Sequence, residues 1–275
     1  MRTKIRMIVT DLDGTMFRRA NEISQRNYEV ICRARQQGIL YAVATGRCGE
    51  LVPEKILPPM DYCITCNGAH ICEGETHRLI AMRCMPTSLV LETLRIIRRF
   101  RPFLEIFWMD QVVVEQDTMQ RMEEYQVPAH HLEYFQTGRQ IVVPSFEEFL
   151  NQMEGEKVTK INMPCREEGR LDSLRAELKQ DRRLTLSSDG FGIELTAPGA
   201  TKGEALRFLC EQLSIPLKQT AVFGDGANDV SMLSIAGCSV AMGNASVPAR
   251  SAAQYVTASN REDGVAEFLE QILHI

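Results

Sequence analysis

Residues 5–15 read IRMIVTDLDGT, an apolar run that ends at once in two aspartates. Such a run bounded by a turn signal is typical of a buried strand, and we predict one over residues 5–10. Asp11 and Asp13 then stand at its carboxyl end, where Gly14 lets the chain turn sharply. One carboxylate can act as nucleophile while the other transfers protons, provided that their environments differ. The alternative is a plain acidic turn.

Strand and helix patterns alternate in the stretches at the two ends of the chain. After Ser24, which is suited to cap a helix, we predict helical structure to Gln37, before Gly38. The other predicted strands are residues 39–44, 62–66, 220–223, 238–241 and 255–257, and the other helices are residues 228–236 and 263–273. Strands that alternate with helices predict an α/β fold with a parallel sheet covered on both faces.

The middle of the chain differs from the two ends. Residues 83–196 hold most of the aromatic side chains, and we predict here an inserted α+β domain, with residues 1–82 plus 197–275 forming the α/β core. The predicted hairpins are residues 103–108 with 112–115 and 184–187 with 192–196, and the predicted helices are residues 88–99, 118–126, 146–153 and 167–180. His130 and His131 are assigned to a loop.

The composition is that of an ordinary globular protein, with 44% hydrophobic residues, 24% charged residues and a net charge of −5. An acidic balance disfavours a nucleic-acid partner. No run approaches the roughly 18 apolar residues of a membrane span, and the amino-terminal stretch lacks the features of a signal peptide. We therefore expect a cytoplasmic protein, a monomer or weak homodimer, without membrane or nucleic-acid partners.

The nine cysteines are spread through apolar segments, which favours reduced core residues. A zinc site built from Cys63, Cys66, Cys72 and Cys84 is the alternative. It is disfavoured because Cys63 and Cys66 fall in a predicted strand, where positions three apart face opposite sides.

A second polar cluster, Thr45-Gly46-Arg47, ends the predicted strand over residues 39–44. A hydroxyl and backbone N–H groups at a strand end can hold phosphate oxygens. Arg47 adds a charged fork for phosphate or substrate. The alternative is an ordinary strand-to-helix turn.

A third cluster, Thr201-Lys202-Gly203-Glu204, has the capping-box pattern of a helix start. Lys202 then lies in the first helical turn, where the helix dipole disfavours a cation. An anion in front of the helix would explain a lysine at this position. A solvated lysine is the alternative.

The fourth cluster, GDGAND over residues 224–229, places two acids and an amide between glycines. Oxygen ligands of this kind suit a hard cation such as Mg²⁺. Alternatively, this is a turn in which Asn228 caps the next helix.

Together, DLDGT (11–15), ATGR (44–47), the lysine of GATKGEAL (199–206) and GDGANDVSML (224–233) resemble the motifs of the haloacid dehalogenase (HAD) superfamily. The likeness is greatest to its Cof-type sugar-phosphate phosphatases of subfamily IIB. Asn67-Gly68 and the stretch AMGNASVPARSAAQYVTASNREDGV (241–265) are also similar. The resemblance implies a Rossmann-like HAD core with an inserted C2-type cap that closes as a lid and sets specificity.

The resemblance also implies a role for each motif residue. Asp11 would form an aspartyl-phosphate, and Asp13 would protonate the leaving oxygen and then activate water. Mg²⁺ would be bound by Asp11, the Asp13 carbonyl and Asp225, assisted from outside the ligand set by Asp229. The implied phosphate contacts are Thr45, Gly46, Lys202 and Asn228, with Arg47 and Asn67 as candidate substrate contacts.

Asp13 favours a phosphatase, because superfamily relatives with threonine at this position keep a longer-lived aspartyl-phosphate. The expected substrates are small phosphate monoesters, above all sugar phosphates. A sugar phosphomutase is the nearest alternative, since it needs the same acid/base. A non-catalytic phosphate-ligand binding protein is a remote one, because no motif carboxylate is missing.

Overall fold

The computed structural model describes residues 4–19, 21–109, 111–125, 127, 129–165, 167, 169–188 and 192–274. The chain divides into two compact units. The first unit comprises Met1–Arg47, Val52–Ala81 and Thr201–Ile275, and the second comprises Cys48–Leu51 and Met82–Ala200.

The strands of the described residues are β1 (Met7–Thr10), β2 (Phe17–Arg19), β3 (Glu22–Ile23), β4 (Leu40–Ala44), β5 (Tyr62–Thr65), β6 (His70–Glu73), β7 (Leu79–Met82), β8 (Glu105–Trp108), β9 (Gln111–Glu115), β10 (Ile141–Val143), β11 (Val158–Met163), β12 (Thr185–Ser187), β13 (Ile193–Thr196), β14 (Thr220–Gly224), β15 (Cys238–Ala241) and β16 (Tyr255–Val256).

The helices of the same residues are α1 (Gln25–Gln36), α2 (Thr87–Arg98), α3 (Gln116–Gln120), α4 (Ala129–Gln136), α5 (Phe146–Gln152), α6 (Asp172–Leu178), α7 (Lys202–Gln212), α8 (Val230–Leu233), α9 (Val247–Ala252) and α10 (Gly264–Leu273). Two of them begin at the predicted caps. Ser24 accepts a hydrogen bond from the N–H of Asn27, and Thr201 accepts one from the N–H of Glu204.

The first unit is built on a sheet with the strand order β16-β15-β14-β1-β4-β5-β6-β7. The strands from β16 to β5 run parallel, as predicted, and β6 adds an antiparallel partner to β5 that the sequence did not indicate. Every residue of β1 and β14 is buried, as expected for strands covered on both faces.

The carboxyl ends of the central strands are level with one another. Thr10 lies opposite Phe223 of β14 on one side and Val43 of β4 on the other. The loops that leave these strands therefore begin at one edge of the sheet, where ligand sites of open α/β sheets are found.

The second unit contains a sheet with the order β10-β9-β8-β11-β13-β12. Both predicted hairpins are confirmed, since β8 pairs with β9 and β12 pairs with β13 in antiparallel fashion. Between them lies β11, which was not predicted and whose six residues are all buried.

Helix predictions in this unit were partly wrong. His130 and His131 belong to α4, not to a loop. In α4, Phe135 is buried and its ring lies 5.5 Å from that of Phe103, so a tertiary contact stabilises a segment of weak local preference. The helix predicted over residues 118–126 is α3 followed by a 3₁₀ turn, Met122–Glu124, and Gln126 lies outside the described residues.

Two further helices are shorter than predicted. α6 covers only part of residues 167–180, of which residue 168 lies outside the described ranges. In place of a helix over residues 228–236, a 3₁₀ turn (Ala227–Asp229) leads into the short α8.

Six of the nine cysteines are buried, in agreement with the core interpretation. Cys66 lies in the turn after β5 and not in the strand itself. Across the described helices, none is long and apolar enough to cross a membrane.

Candidate active site

Asp11 lies directly beyond β1, and its N–H continues the sheet by donating to the carbonyl oxygen of Phe223 at 3.0 Å. The residue is 5% exposed. Nearby, the hydroxyl of Thr15 donates to Oδ1 of Asp225 at 3.0 Å, which joins the loop after β1 to the loop after β14. The two predicted acidic clusters therefore form one site.

Close approach of these two loops depends on Gly14. Its φ of +81° is in the left-handed region, and a Cβ at this position would overlap the Asp225 carboxylate. The carbonyl oxygen of Gly14 accepts a hydrogen bond from Nδ2 of Asn244 at 2.8 Å.

Substituting Gly14 with alanine is expected to destabilise the protein by about 2 kcal/mol or more, because backbone strain and steric overlap add. Gly38→Ala is the matched control, since Gly38 has a φ of +79° and, apart from its two chain neighbours, no described residue has an atom within 4 Å of the place that an alanine Cβ would take. Urea denaturation should show a larger loss for Gly14→Ala than for Gly38→Ala. Equal losses would mean that the approach to Asp225 is unimportant.

Lys202, the first residue of α7, is completely buried. Its Nζ lies 2.7 Å from Oδ1 of Asp11 and 2.6 Å from Oδ1 of Asp229. These carboxylates are the anions that explain a cation at a helix amino terminus. Burial alone would lower the pKa of Lys202, but the charges of Asp11 and Asp229 raise it, so the lysine is an ammonium ion.

Asp229 uses both carboxylate oxygens within the protein. Oδ1 accepts from Lys202, while Oδ2 accepts from the N–H groups of Asp225 and Gly226, both at 2.8 Å. Asp229 therefore orients the side chain of Lys202 and at the same time fixes the loop after β14.

The residue types at this cluster fit a divalent cation. Among the described residues, the group of acids, histidines and cysteines with a metal-like arrangement is Asp11, Asp225 and Asp229, whose ligand oxygens lie within 4.8 Å of one another. Burial, reinforced by Asp229, raises the pKa of Asp225 to about 6. Burial also raises the pKa of Asp11 despite Lys202. One ammonium ion leaves these carboxylates incompletely neutralised, and oxygen donors suit Mg²⁺.

Asp13 pairs with Arg47. Nη2 and Nε of Arg47 lie 2.6 and 2.7 Å from the two Asp13 oxygens, a bidentate ion pair. Arg47 also donates to Oδ1 of Asn21 at 2.7 Å and stacks 5.1 Å from the ring centre of Phe17. Arg47, the predicted substrate contact, is thus ion-paired with Asp13, the predicted acid/base.

The remaining predicted residues flank the cluster. Thr45 is buried just beyond β4, and its hydroxyl accepts from the N–H of Arg47 at 3.2 Å, with Gly46 between them. Asn228 lies inside the 3₁₀ turn and does not cap a helix. Its Nδ2 donates to Oδ1 of Asn67 at 3.0 Å. Thr45, Asn67 and Asn228 thus lie in the turns after β4, β5 and β14. Lys202 instead reaches Asp11 from the amino terminus of α7.

Sequence reasoning missed the supporting roles of Thr15 and Asn244. Both stand in stretches that resemble the family, but a hydrogen bond over 210 or 230 positions leaves no local signal. Ser231, whose Oγ accepts from the N–H of Gly203 at 3.0 Å, was missed for the same reason.

This chain belongs to the haloacid dehalogenase-like hydrolase family, which it matches over residues 8–269. It is therefore a hydrolase, and both the predicted superfamily and the predicted α/β fold are confirmed.

Among its relatives, Phosphatase YwpJ of Bacillus subtilis (strain 168) is 30% identical over 288 residues, which cover 98% of this chain and 100% of that protein. A solved haloacid dehalogenase-like hydrolase from B. subtilis has a TM-score of 0.85 at 28% identity, covering 98% of this chain and 100% of that one. The HAD subclass IIB sugar phosphatase BT4131 has a TM-score of 0.75 at 25% identity, covering 98% and 100% of the two chains. These likenesses support the predicted subclass.

Proposed function

We propose that this hydrolase is a Mg²⁺-dependent phosphatase that transfers the phosphoryl group of a small phosphate monoester first to Asp11 and then to water. The observation that carries the proposal is the buried contact of Asp11 with Lys202, beside Asp225 and Asp229. Membership of the family supports it, as does the likeness to Phosphatase YwpJ, which this chain matches over that protein's whole length.

In the first step, an Asp11 oxygen attacks phosphorus while the bond to the leaving oxygen breaks. Asp13, entering this step as the carboxylic acid, gives that oxygen a proton, and an aspartyl-phosphate remains. In the second step, Asp13 takes a proton from water, the water oxygen attacks phosphorus and the bond between phosphorus and the Asp11 oxygen breaks. This regenerates the Asp11 carboxylate and protonated Asp13 and releases inorganic phosphate. Phosphoryl transfer of this kind depends mainly on positioning and on neutralising charge.

Lys202 contributes in two ways. It holds Oδ1 of Asp11 at 2.7 Å, which orients the carboxylate, and its charge reduces the repulsion between two approaching anions. Thr45, Gly46 and Asn228 are proposed to bind the phosphate oxygens with it, from the loops after β4 and β14.

Asp11, the Asp13 carbonyl and Asp225 are the proposed Mg²⁺ ligands, with Asp229 outside the ligand set. When bound, the ion supplies positive charge that offsets the carboxylates and the charge developing on the phosphate oxygens.

Asp225→Asn alters a proposed metal ligand and should weaken Mg²⁺ binding by more than about tenfold, because even residues that only support the ligands of a metal contribute on the order of 10–100-fold to its affinity. Isothermal titration calorimetry measures this without reference to activity. Asp117→Asn removes the same charge from a side chain that is 72% exposed and is the control. Unchanged Mg²⁺ affinity in Asp225→Asn would exclude this metal site.

We propose sugar phosphates as the substrate class, supported by the likeness to a subclass IIB sugar phosphatase. The second unit is proposed as the cap that determines which leaving group is accepted. A screen of phosphorylated metabolites, comparing kcat/KM with Mg²⁺ and with a chelator, tests the proposal. Metal-dependent release of inorganic phosphate is expected. Isomerised hexose phosphate without free phosphate would instead indicate a mutase.

A further inference from the structure

The turn after β5 has an unusual backbone. Cys66, Asn67 and Gly68 have consecutive φ values of 50°, 57° and 102°. Left-handed conformations are unfavourable for residues with side chains, although asparagine tolerates them better than most. Such strain persists only where surrounding contacts impose it, and it is concentrated at functional sites.

Backbone contacts tie this turn to the loop after β4, which carries the proposed phosphate contacts Thr45 and Gly46. The N–H of Cys66 donates to the carbonyl oxygen of Arg47 at 2.8 Å, and the N–H of Asn67 donates to that of Thr45 at 3.0 Å. The turn thereby fixes both ends of the Thr45–Gly46–Arg47 segment.

The same turn packs against the start of α7. A Cβ on Gly68 would overlap the carbonyl group of Thr201, the residue that caps α7 immediately before Lys202. Glycine is therefore required for the turn and the helix to approach, and their packing sets the position of the lysine.

The side chain of Asn67 completes the arrangement. Asn67 is 2% exposed, and its Oδ1 accepts from Nδ2 of Asn228 at 3.0 Å. This bond uses one of the two side-chain N–H groups of Asn228 and fixes the orientation of its amide. The direction of the second N–H is thereby fixed as well.

We propose that Asn67 is a positioning residue, not a substrate contact: it orients the Asn228 amide for the phosphate, while its turn holds Thr45 and Lys202 in register. This inference rests on the proposed phosphatase function. It assigns to Asn67 an action through Asn228 that a direct substrate contact would not have.

A double-mutant cycle tests this action. Asn67→Gly removes the side chain while glycine keeps the left-handed backbone without strain. It should lower kcat/KM for an aryl phosphate about tenfold, the factor that corresponds to one hydrogen bond. The inhibition constant of inorganic phosphate should rise by a similar factor. In an Asn228→Ala background, Asn67→Gly should change kcat/KM by less than about twofold, because coupled residues are not additive.

Additive losses would overturn the proposal, since Asn67 would then act independently of Asn228. Asn67→Ala should match Asn67→Gly in activity but melt at a lower temperature, because alanine is strained at this φ. If only Asn67→Ala lost activity, backbone strain would explain the effect and the side-chain role would be wrong.

A further test uses the unsubstituted protein and therefore does not require any variant to fold. The side-chain amide of Asn228 should show one proton that exchanges slowly with solvent in ¹⁵N-resolved NMR spectra, and equal fast exchange of both protons would contradict the bond to Asn67. Failure of the proposed function is distinguishable, because an unsubstituted protein that releases no phosphate from any ester refutes the phosphatase and not this hydrogen bond.

Discussion

Replacing Asp11 with asparagine is expected to lower kcat/KM for phosphate release by on the order of 10³-fold or more, because an amide does not form an acyl phosphate. The substitution is nearly isosteric, and its carbonyl oxygen can still accept from Lys202. Lys202 keeps its second carboxylate contact, Asp229, in this variant, so we expect the fold to be retained.

The assay is phosphate release from an aryl phosphate in the presence of Mg²⁺, with thermal unfolding recorded for each protein. Asp117→Asn, which removes an exposed carboxylate of the second unit, serves as the control and should retain activity. Full activity in Asp11→Asn would exclude this residue as the nucleophile.

Lys202→Met is expected to have the second largest effect, and to lower both stability and activity. The substitution leaves Asp11 and Asp229 without the ammonium ion that both contact. Breaking a buried ion pair by removing one partner costs about 3–5 kcal/mol. Loss of one preorganised electrostatic contact lowers kcat by on the order of 10²–10³-fold.

Urea denaturation and steady-state kinetics measure these two effects separately. Lys218→Met removes an exposed lysine of the same unit and should change neither quantity appreciably. An unfolding free energy of Lys202→Met within about 1 kcal/mol of the unsubstituted protein would contradict the proposed dependence of the carboxylate cluster on this lysine.

The parallel strands of the first unit were predictable because they are short, apolar and followed by turn residues. β11 was not, because its sequence VTKINM contains Lys160 and Asn162, which suggest exposure. Both are buried in the fold. Lys160 pairs with Glu194 at 2.6 Å and Asn162 donates to Glu105 at 2.7 Å. Partners so distant in sequence leave no local pattern.

In the candidate site, too, part of the structure was predictable and part was not. Its residues were predictable because glycines, acids and a misplaced lysine stand at strand and helix ends. Their pairings were not. The lysine's anions, Asp11 and Asp229, lie 191 and 27 positions away, and the Arg47 fork contacts Asp13. Such pairings depend on strand order, which the spacing of motifs does not specify.

Trapping the covalent intermediate tests the central claim most directly. Asp13→Asn should form the aspartyl-phosphate with an activated aryl phosphate, whose leaving group needs little protonation, but hydrolyse it slowly. Acid quenching followed by peptide mass spectrometry should then locate one phosphoryl group on Asp11. A phosphoryl group on another residue, or none on a protein that still releases phosphate, would contradict the proposed mechanism.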